Sequence, residues 1–318
     1  MNSPLVSVCI VTFNHEKYIR DCIMSVVEQA NDVDIEILVG DDQSADETQG
    51  IMESLAREFP DLVSYRRNPM RLGPAGNYQS LIAASRGSLI AHLDGDDLWN
   101  PGKLLAQVAA LNGHEDCPAV YTNAITVNDA GAPVGLFNNP QPERISLDAL
   151  LARGNFLCHS SILYRATLKD EIMALSPPFV DYRIHMLCAL SGNLAYLNEA
   201  LVVYRVNSLG SVLIHQNENI REQYWEALTA IPRDCVSEKA LASGITEFGR
   251  SVFFASLKKG DASLLSRWVP KVLSATPDGR LRTLFLMILA IVRVGMTESY
   301  AAIRSRISAA SPRVLYWR

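Results

Sequence analysis

Two aspartates, Asp94 and Asp96, stand one residue apart directly after the apolar run 89–93. A buried strand that ends in Asp-x-Asp brings two carboxylates to one edge of a sheet. There they can hold a hard divalent cation between the protein and the phosphates of a substrate. Loops after strands are often acidic for other reasons. This pair therefore indicates a cation site only together with the other polar clusters of the chain, which are described below.

The elements that must position these carboxylates follow from the pattern of apolar residues. Strands are predicted at 5–11, 35–39, 62–65 and 88–93, and helices at 16–29, 46–59 and 76–85. Near-continuous Val, Ile and Leu runs separated by helices indicate a mostly parallel sheet that is covered on both faces. A further strand is predicted at 119–127, and residues 131–146, which include three prolines, are expected to form a surface loop.

Three polar clusters each follow the carboxyl end of a predicted strand. They are Thr12-Phe13-Asn14, Asp41-Asp42-Gln43-Ser44 and the group from Asp94 to Asp97. Ligands bind beyond the carboxyl ends of the strands in open α/β sheets, so we expect the three clusters to form one site. The alternative is three solvated turns, in which the acidic side chains only cap helices.

In this order and spacing, the clusters and the segment from Asp97 to Leu104 resemble the nucleotide-diphospho-sugar-binding half of the family 2 glycosyltransferases. The resemblance covers about residues 5–205. It implies a GT-A fold, which is an α/β, Rossmann-like, mixed and mostly parallel sheet with helices on both faces. An all-helical C-terminal region is expected to follow.

The resemblance also implies roles for particular residues. The implied donor-binding residues are Thr12, Phe13, Asn14, Asp41, Asp42, Asn77 and Asp94. Asp96 is the implied ligand of a divalent metal, Mg²⁺ or Mn²⁺, and Trp99 and His159 are expected on the acceptor side. For His159, a purely structural hydrogen bond is an equal alternative. Arg205 is either a phosphate contact or a partner in an internal salt bridge.

An inverting transfer also needs a carboxylate that takes the proton of the acceptor hydroxyl. The resemblance places this base at the start of a later helix, usually as the second residue of a Glu-Asp pair. Asp181 stands in this position, with Val180 where Glu is more common. The alternative role for Asp181 is a helix N-cap. A cation at Asp96 would neutralise the charge that develops on the leaving diphosphate.

The last third of the chain differs from the rest in charge. Residues 1–220 carry 14 Lys and Arg against 26 Asp and Glu, a net charge of −12, whereas residues 221–318 carry 15 against 8, a net of +7. Helical periodicity runs through this part, so we expect a glycosyltransferase domain at 1–218 and a helical domain at 219–318. Arginines beside Leu284, Phe285 and Ile288 would suit a helix on an anionic membrane surface, and a packing domain with solvated arginines is an equal alternative.

Several features bear on the compartment. The longest apolar run, 284–292, is much shorter than the roughly 20 residues that a membrane span needs. Six scattered cysteines without a Cys-x-x-Cys pair indicate a reducing compartment, and no signal peptide is predicted. We therefore expect a cytoplasmic protein, either free or peripheral at the inner face of the cell membrane, without a nucleic acid partner.

The predicted function is inverting, metal-dependent transfer of one sugar from a nucleoside diphosphate sugar, UDP- or dTDP-linked, to a glycan or lipid-linked acceptor in cell-surface polysaccharide synthesis. Transfer is expected to be non-processive, because the processive members of the resembled family carry Gln-x-x-Arg-Trp and membrane spans, whereas Leu264 stands in the Gln position before Arg267-Trp268 here.

The sequence gives less support to three other functions. A sugar nucleotidyltransferase would need a glycine-rich basic loop after the first strand, which Thr12-Phe13-Asn14-His15 is not. A nucleotide-binding scaffold without turnover is disfavoured by the acidic residues that are present at every expected position. An NAD-dependent oxidoreductase is disfavoured because no Gly-x-Gly-x-x-Gly follows the first strand.

Overall fold

The computed structural model describes residues 5–206, 218–277, 279–292 and 313–316. These residues divide into two compact units. The first takes in 5–145, 157–206, 218–224 and 313–316, and the second takes in 146–156, 225–277 and 279–292. Each unit therefore contains short segments that the sequence assigned to the other region. The single domain boundary at residue 218 stays a prediction.

The strands all belong to the first unit. They are β1 (Val6–Thr12), β2 (Ile35–Asp41), β3 (Val63–Arg67), β4 (Leu89–Asp94), β5 (Leu98–Trp99), β6 (Ala119–Val127), β7 (Pro133–Asn138), β8 (Arg144–Ile145), β9 (Leu163–Arg165), β10 (Leu194–Arg205) and β11 (Arg313–Tyr316). The first four agree closely with the predicted strands.

The helices lie between the strands and throughout the described part of the second unit. They are α1 (Ile19–Val27), α2 (Thr48–Glu58), α3 (Gly73–Ala84), α4 (Lys103–Gly113), α5 (Leu147–Arg153), α6 (Lys169–Met173), α7 (Asp181–Leu190), α8 (Glu218–Thr229), α9 (Glu238–Lys259) and α10 (Ser263–Ala275). Residues 280–292 are also helical.

The strands form one mixed sheet in the order β11-β7-β6-β9-β4-β1-β2-β3, and β10 pairs with β5, β6 and β8. β4, β1, β2 and β3 run parallel to one another. β9 runs antiparallel to both β4 and β6. The expected mixed, mostly parallel sheet is therefore confirmed.

One segment differs from its prediction. Residues 131–146 are not a surface loop, because β7 and β8 lie within them and β7 pairs antiparallel with β6. The three prolines of this segment misled the prediction. Pro133 is the first residue of β7, a position in which a missing N–H costs little.

The core of the first unit explains why its central strands are so apolar. Every residue of β1 and of β2 is buried, because helices cover both faces of the sheet. α1 contributes Ile19, Cys22, Ile23 and Val26, which recur at helical spacing along one face. This packing holds the carboxyl ends of β1, β2 and β4 at one edge.

In the second unit, α9 and α10 pack around an aromatic cluster. The Trp268 ring lies 5.0 Å from the Phe248 ring, and Trp225 lies 4.9 Å from Phe248. The Ser237 side chain caps the start of α9, and Gly260 ends it in a left-handed conformation with φ 65°. The expected helical C-terminal region is confirmed over the described ranges 218–277 and 279–292, whereas β11 joins the sheet, and the rest of the expected region lies outside the described residues. No described helix has a stretch both long and apolar enough to cross a bilayer.

Candidate functional site

The loops after β1 and β2 are joined by reciprocal hydrogen bonds. The backbone N–H of Asn14 donates to Ser44 Oγ (2.9 Å), and Asn14 Oδ1 accepts from the N–H of Ala45 (2.8 Å). Asn14 takes a left-handed φ of 57°, which asparagine tolerates better than most residues. The first two predicted clusters therefore form one continuous edge.

The loop after β4 lies against the same edge. Asp94 is paired in register with Val11 of β1. A β-carbon on Gly95 would lie 2.8 Å from His15 Nδ1 and 2.9 Å from Thr12 Oγ1, so glycine alone fits there. Thr12 is buried, and its Oγ1 lies 3.2 Å from His15 Nδ1. The structure thus brings the three predicted clusters together.

Asp41 lies beneath this edge, and protein donors occupy both of its carboxylate oxygens. Oδ1 accepts from the N–H (2.8 Å) and the hydroxyl (2.6 Å) of Ser44, and Oδ2 accepts from the Tyr65 hydroxyl (2.9 Å). The side chain is fully buried. Asp41 therefore shapes the β2 loop, and its predicted contact with the nucleotide sugar stays a prediction.

Asp42 has a similar supporting position at the start of α3. Its Oδ1 accepts from the N–H of Leu72 (2.7 Å), and its Oδ2 accepts from the N–H of Gly73 (3.0 Å). The side chain is almost fully buried. Asp42 therefore holds the start of α3 in place, and its predicted contact with a nucleobase stays a prediction.

Asn77 is also buried, and its predicted contact with the nucleotide sugar stays a prediction. Its Nδ2 donates to the carbonyl of Gly40 (2.7 Å), and its Oδ1 accepts from Asn68 Nδ2 (2.9 Å). A side chain on Gly40 would collide with Asn77, so glycine is required at that position of β2. Asn77 fixes the segment that carries Arg71 against the sheet.

Phe13 remains at the open edge, half-buried, with a cation over its ring. The Arg71 guanidinium carbon lies 3.7 Å from the ring centroid, a close cation–π contact. Arg71 Nε lies 3.9 Å from Asp42 Oδ2, and most of the arginine side chain is exposed. Arg71 was missed from the sequence, although its place between the second and third clusters is a usable signal.

The three carboxylates after β4 have different surroundings. Asp97 is buried, and its Oδ2 accepts a 2.6 Å hydrogen bond from Ser160 Oγ, while its Oδ1 accepts from the N–H of Arg205 (2.8 Å). The Asp94 side chain is 40% exposed. Asp96 is also only partly buried. Asp94 and Asp96 therefore face the edge, and Asp97 anchors their loop.

The pKa values of two of these carboxylates, Asp94 and Asp97, are shifted in opposite directions. Burial, together with the nearby charges of Asp96 and Asp94, raises the pKa of Asp97 well above its ordinary value. Burial also acts on Asp94, but the neighbouring His92, whose Nε2 lies 3.1 Å from Asp94 Oδ1, brings the pKa of Asp94 below its ordinary value. Asp94 is therefore the more readily ionised of the two.

Arg205 holds the Asp94–Asp97 loop from the other side. Its Nε donates to the backbone carbonyl of Asp96 (3.2 Å), and its Nη1 donates to that of Asn128 (2.8 Å). Its guanidinium carbon lies 4.2 Å from the centroid of the Tyr18 ring. Neither alternative from the sequence accounts for these contacts, which join Arg205 to backbone carbonyls rather than to carboxylates.

Trp99 is not at an open face. It is almost fully buried, and its Nε1 donates to the carbonyl of Ser160 (2.9 Å). The side-chain nitrogen of Lys103, itself buried, lies 3.8 Å from the Trp99 ring centroid. The expected acceptor contact therefore gains no support from this position, and Trp99 supports the loop through Ser160 instead.

Asp181 is the first residue of α7, and the N-cap is Val180. Its Oδ1 accepts from the N–H of Tyr182 (2.8 Å), and the residue is only partly buried. The N-cap is therefore Val180, and not Asp181 as in the alternative from the sequence. His159 contacts a residue of the same helix, since its Nδ1 lies 3.1 Å from His185 Nε2.

The residues at the β4 edge fit one mode of metal binding. In the described part of the chain, no group of three or more His, Cys, Asp or Glu could hold an ion by itself. Mg²⁺ commonly binds through one or two carboxylates together with substrate phosphates. Asp94 and Asp96 are suited to this mode, in which the cation arrives with a diphosphate.

A family model described as Glycosyl transferase family 2 matches residues 7–172, which include all three clusters. The chain belongs to glycosyltransferase family 2. It is 31% identical over 224 residues to the uncharacterized protein Rv1520 of Mycobacterium tuberculosis, an alignment that covers 70% of this chain and 64% of the relative. The chain thus spans less than two thirds of that relative's length.

Another relative of this family 2 glycosyltransferase chain carries an assigned activity. The UDP-Glc:alpha-D-GlcNAc-diphosphoundecaprenol beta-1,3-glucosyltransferase WfgD of Escherichia coli is 29% identical over 234 residues, with 72% of this chain and 87% of WfgD covered.

Two solved structures share the fold. Residues 1–349 of TarS from S. aureus superpose with a TM-score of 0.64 at 20% identity, covering 88% of this chain and 82% of the other. The mannosyltransferase PcManGT from Pyrobaculum calidifontis, in complex with GDP-Man and Mn²⁺, gives 0.55 at 16% identity, with 92% and 87% covered. The GT-A fold expected from the sequence is confirmed.

Proposed function

We propose that this family 2 chain transfers one sugar from a nucleoside diphosphate sugar to a glycan or lipid-linked acceptor, with inversion and with a divalent metal. The observation that carries the proposal is the difference in burial among the three carboxylates after β4. Asp97 is buried and anchors the loop, while Asp94 and Asp96 face the edge where Phe13 lies. An aromatic face suits stacking of a base, and nearby carboxylates suit a divalent cation that is also bound by a diphosphate.

The donor would lie along the edge formed by the three loops. Phe13 offers its ring to the base, and Arg71 above it supplies a positive charge near the nucleotide. Thr12 and Asn14 hold the loop in place through the contacts described above. Asp94 would accept from the ribose or lie beside the diphosphate.

The metal proposal rests on Asp96 and Asp94. A bound Mg²⁺ or Mn²⁺ would supply Lewis-acid stabilisation of the leaving diphosphate. PcManGT, which has the same fold, binds Mn²⁺ together with its nucleotide sugar. That complex supports a metal here without identifying it.

Asp181 is our candidate for the base that takes the proton of the acceptor hydroxyl. It lies at the first turn of α7, so the helix backbone rather than a loop determines its position. An inverting transfer needs one carboxylate on the acceptor side and none that forms a covalent intermediate. The activity of WfgD supports a lipid-diphosphate-linked glycan as the acceptor class and UDP as the nucleotide.

The proposal is tested by incubation with a panel of nucleotide sugars, with UDP-glucose first, and with undecaprenyl-diphosphate-linked acceptors. We expect sugar transfer that stops when a chelator removes the divalent metal and returns when Mg²⁺ or Mn²⁺ is added. Transfer that is unaffected by chelation would show that the reaction does not require a divalent metal. Pyrophosphate release from a nucleoside triphosphate would favour a nucleotidyltransferase, and donor binding without any turnover would favour a silent scaffold.

We further propose that the chain docks peripherally on the inner face of the cell membrane through residues 280–292. This helical segment buries Thr283 and Met287 and exposes an apolar stripe on its opposite side. Within the stripe, Leu281 is 86%, Phe285 60% and Ile288 52% exposed. Its other exposed members are Leu284, Leu289 and Val292.

The charge of the chain from residue 279 onward favours an anionic bilayer as the occupant. Residues 279–318 contain seven arginines and one acidic residue, Glu298. Of these arginines, Arg280 and Arg282 fall on the two sides of the stripe at helical spacing. An apolar stripe between cations suits a helix that lies in the interface of an anionic membrane.

Sedimentation with vesicles tests the membrane proposal. We expect the protein to pellet with phosphatidylglycerol vesicles and much less with phosphatidylcholine vesicles, and Phe285→Glu with Ile288→Glu to abolish pelleting. Leu257→Glu is the matched control, because Leu257 is an exposed apolar residue of α9 outside the stripe. Equal pelleting of all three proteins would end the membrane proposal, and a dimer lost only in the double variant would indicate a second copy of the chain.

A further inference from the structure

Three histidines form a row that begins at Asp94. His92 lies on β4, and its Nε2 is 3.1 Å from Asp94 Oδ1. The His159 ring stacks on the His92 ring, with centroids 4.1 Å apart and planes inclined by 31°. His159 Nδ1 then lies 3.1 Å from Nε2 of His185, which is fully buried on α7.

Aromatic rings enclose this row. The Tyr78 ring lies edge-on to His92 (4.5 Å) and to His159 (5.7 Å), and the Tyr121 ring lies 5.1 Å from His185. Burial, with a smaller contribution from His92, lowers the pKa of His185 to about 3 and that of His159 well below its ordinary value. Each of these two neutral rings has one N–H and one lone pair, so the nitrogens that face each other share one proton.

The far end of the row reaches the helix of the candidate base. His185 follows Asp181 by four residues on α7, and residues at this spacing lie on the same face, one turn apart. The row therefore connects the end of β4, where the donor diphosphate is expected, with the helix that presents Asp181. None of these histidines has a role in the mechanism proposed above.

We propose that His159 is a positioning residue that couples Asp94 on the donor side to the helix that carries Asp181. The inference rests on the proposed function. The row fixes the end of β4 relative to α7, and hence the gap in which the sugar and the acceptor hydroxyl must fit. Reacting groups that are misplaced by about 1 Å can lose roughly 100-fold in rate. His159 thereby acts on turnover rather than on donor affinity.

Two substitutions at position 159 separate this role from simple packing. In His159→Leu, which removes the ring nitrogens, we expect kcat to fall by roughly 10- to 100-fold while the donor KM changes little. His159→Asn can place an amide group where Nδ1 lies, so it should recover most of the lost rate. Should His159→Leu fail to fold, His185→Leu and His185→Gln allow the same comparison from the other side of the hydrogen bond.

Tyr164→Phe is the matched control. Tyr78 donates its hydroxyl hydrogen to the Tyr164 hydroxyl (3.1 Å) beside the row, so this variant removes a buried hydrogen bond without touching a histidine. It should lower the thermal midpoint yet keep wild-type kcat. Wild-type kcat in His159→Leu would overturn the inference, and so would an equal loss of kcat in Tyr164→Phe, because general loosening would then explain the effect.

A second measurement does not depend on turnover. Adding UDP and Mg²⁺ should shift the ring ¹⁵N resonances of His185 in the wild type, although His185 is buried away from the edge. In His159→Leu this shift should disappear. An unchanged His185 spectrum in the wild type at saturating UDP would contradict the coupling. Absence of sugar transfer by the wild type with every donor would instead contradict the proposed function.

Discussion

Asp97 accepts a 2.6 Å hydrogen bond from the hydroxyl of Ser160, and the Ser160 hydroxyl oxygen in turn lies 3.2 Å from the backbone nitrogen of Asp94, which donates to it. One serine therefore binds both ends of the acidic loop after β4. A hydroxyl has one proton, so its longer contact with Asp94 Oδ2 (3.4 Å) is not a second full hydrogen bond. The Asp94 carboxylate stays available to a ligand.

The first prediction concerns the anchoring role of Asp97. Asp97→Ala leaves the buried Ser160 hydroxyl and the partly buried Arg205 N–H without their acceptor. We expect the free energy of unfolding to fall by about 2 kcal/mol or more, measured by urea titration. Asp61→Ala, at an exposed position, serves as the control. A loss in Asp97→Ala no larger than in that control would show that Asp97 does not anchor the loop.

The second prediction concerns the aromatic edge. Phe13→Ala should weaken UDP binding in the presence of Mg²⁺, because stacking of a base on an aromatic ring contributes about 1–3 kcal/mol, or roughly 5- to 150-fold in Kd. Calorimetry measures the change. Arg71→Ala should also weaken binding, because it removes the positive charge that lies beside the proposed nucleotide site. Arg66→Ala, an exposed neighbour, should not. Wild-type affinity in Phe13→Ala would show that the nucleobase does not stack on Phe13.

The third prediction concerns pH and a buried carboxylate away from the site. Glu36 accepts from Ser7 Oγ (2.5 Å) and from the N–H and Nε of Arg86 (2.8 Å each). Burial alone would raise its pKa, but these hydrogen bonds hold the pKa of Glu36 below its ordinary value of 4.5. The unfolded chain then binds the proton more readily. The stabilisation is complete above the ordinary pKa and is lost as the pH falls through the folded-state pKa.

Glu36→Gln should therefore be less stable than the wild type near neutral pH, and the difference should shrink as the pH falls from about 6 to about 3. Urea titrations at several pH values measure it. Glu58→Gln, at an exposed position of α2, is the control. A difference between wild type and Glu36→Gln that does not vary over this range would contradict the assignment.

The sequence predicts where the edge of the sheet lies, but it does not show which protein groups the residues on that edge contact. Continuous apolar runs determine β1 to β4, and the carboxyl ends of parallel strands must meet. Asp41 and Asp42 look as available as Asp96 in the sequence. Their actual partners, Tyr65 and the N–H of Leu72, come from elements whose packing no local pattern encodes.

The same limit applies to the histidines and to the edge of the sheet. His92 lies in an apolar strand, and only the fold reveals that His159 and His185 meet it. The three prolines of residues 131–146 predict a surface loop, whereas pairing with β6 makes residues 133–138 a strand. Long-range pairing overrides local propensity in such segments.

The most direct test of the account compares Asp96→Ala and Asp181→Asn in one assay with the donor and metal that support transfer. We expect both variants to lose transfer, with Asp181→Asn retaining Mg²⁺-dependent binding of UDP and Asp96→Ala losing the metal dependence of that binding. Asp61→Asn should behave as the wild type. Undiminished transfer by both Asp96→Ala and Asp181→Asn would contradict the account.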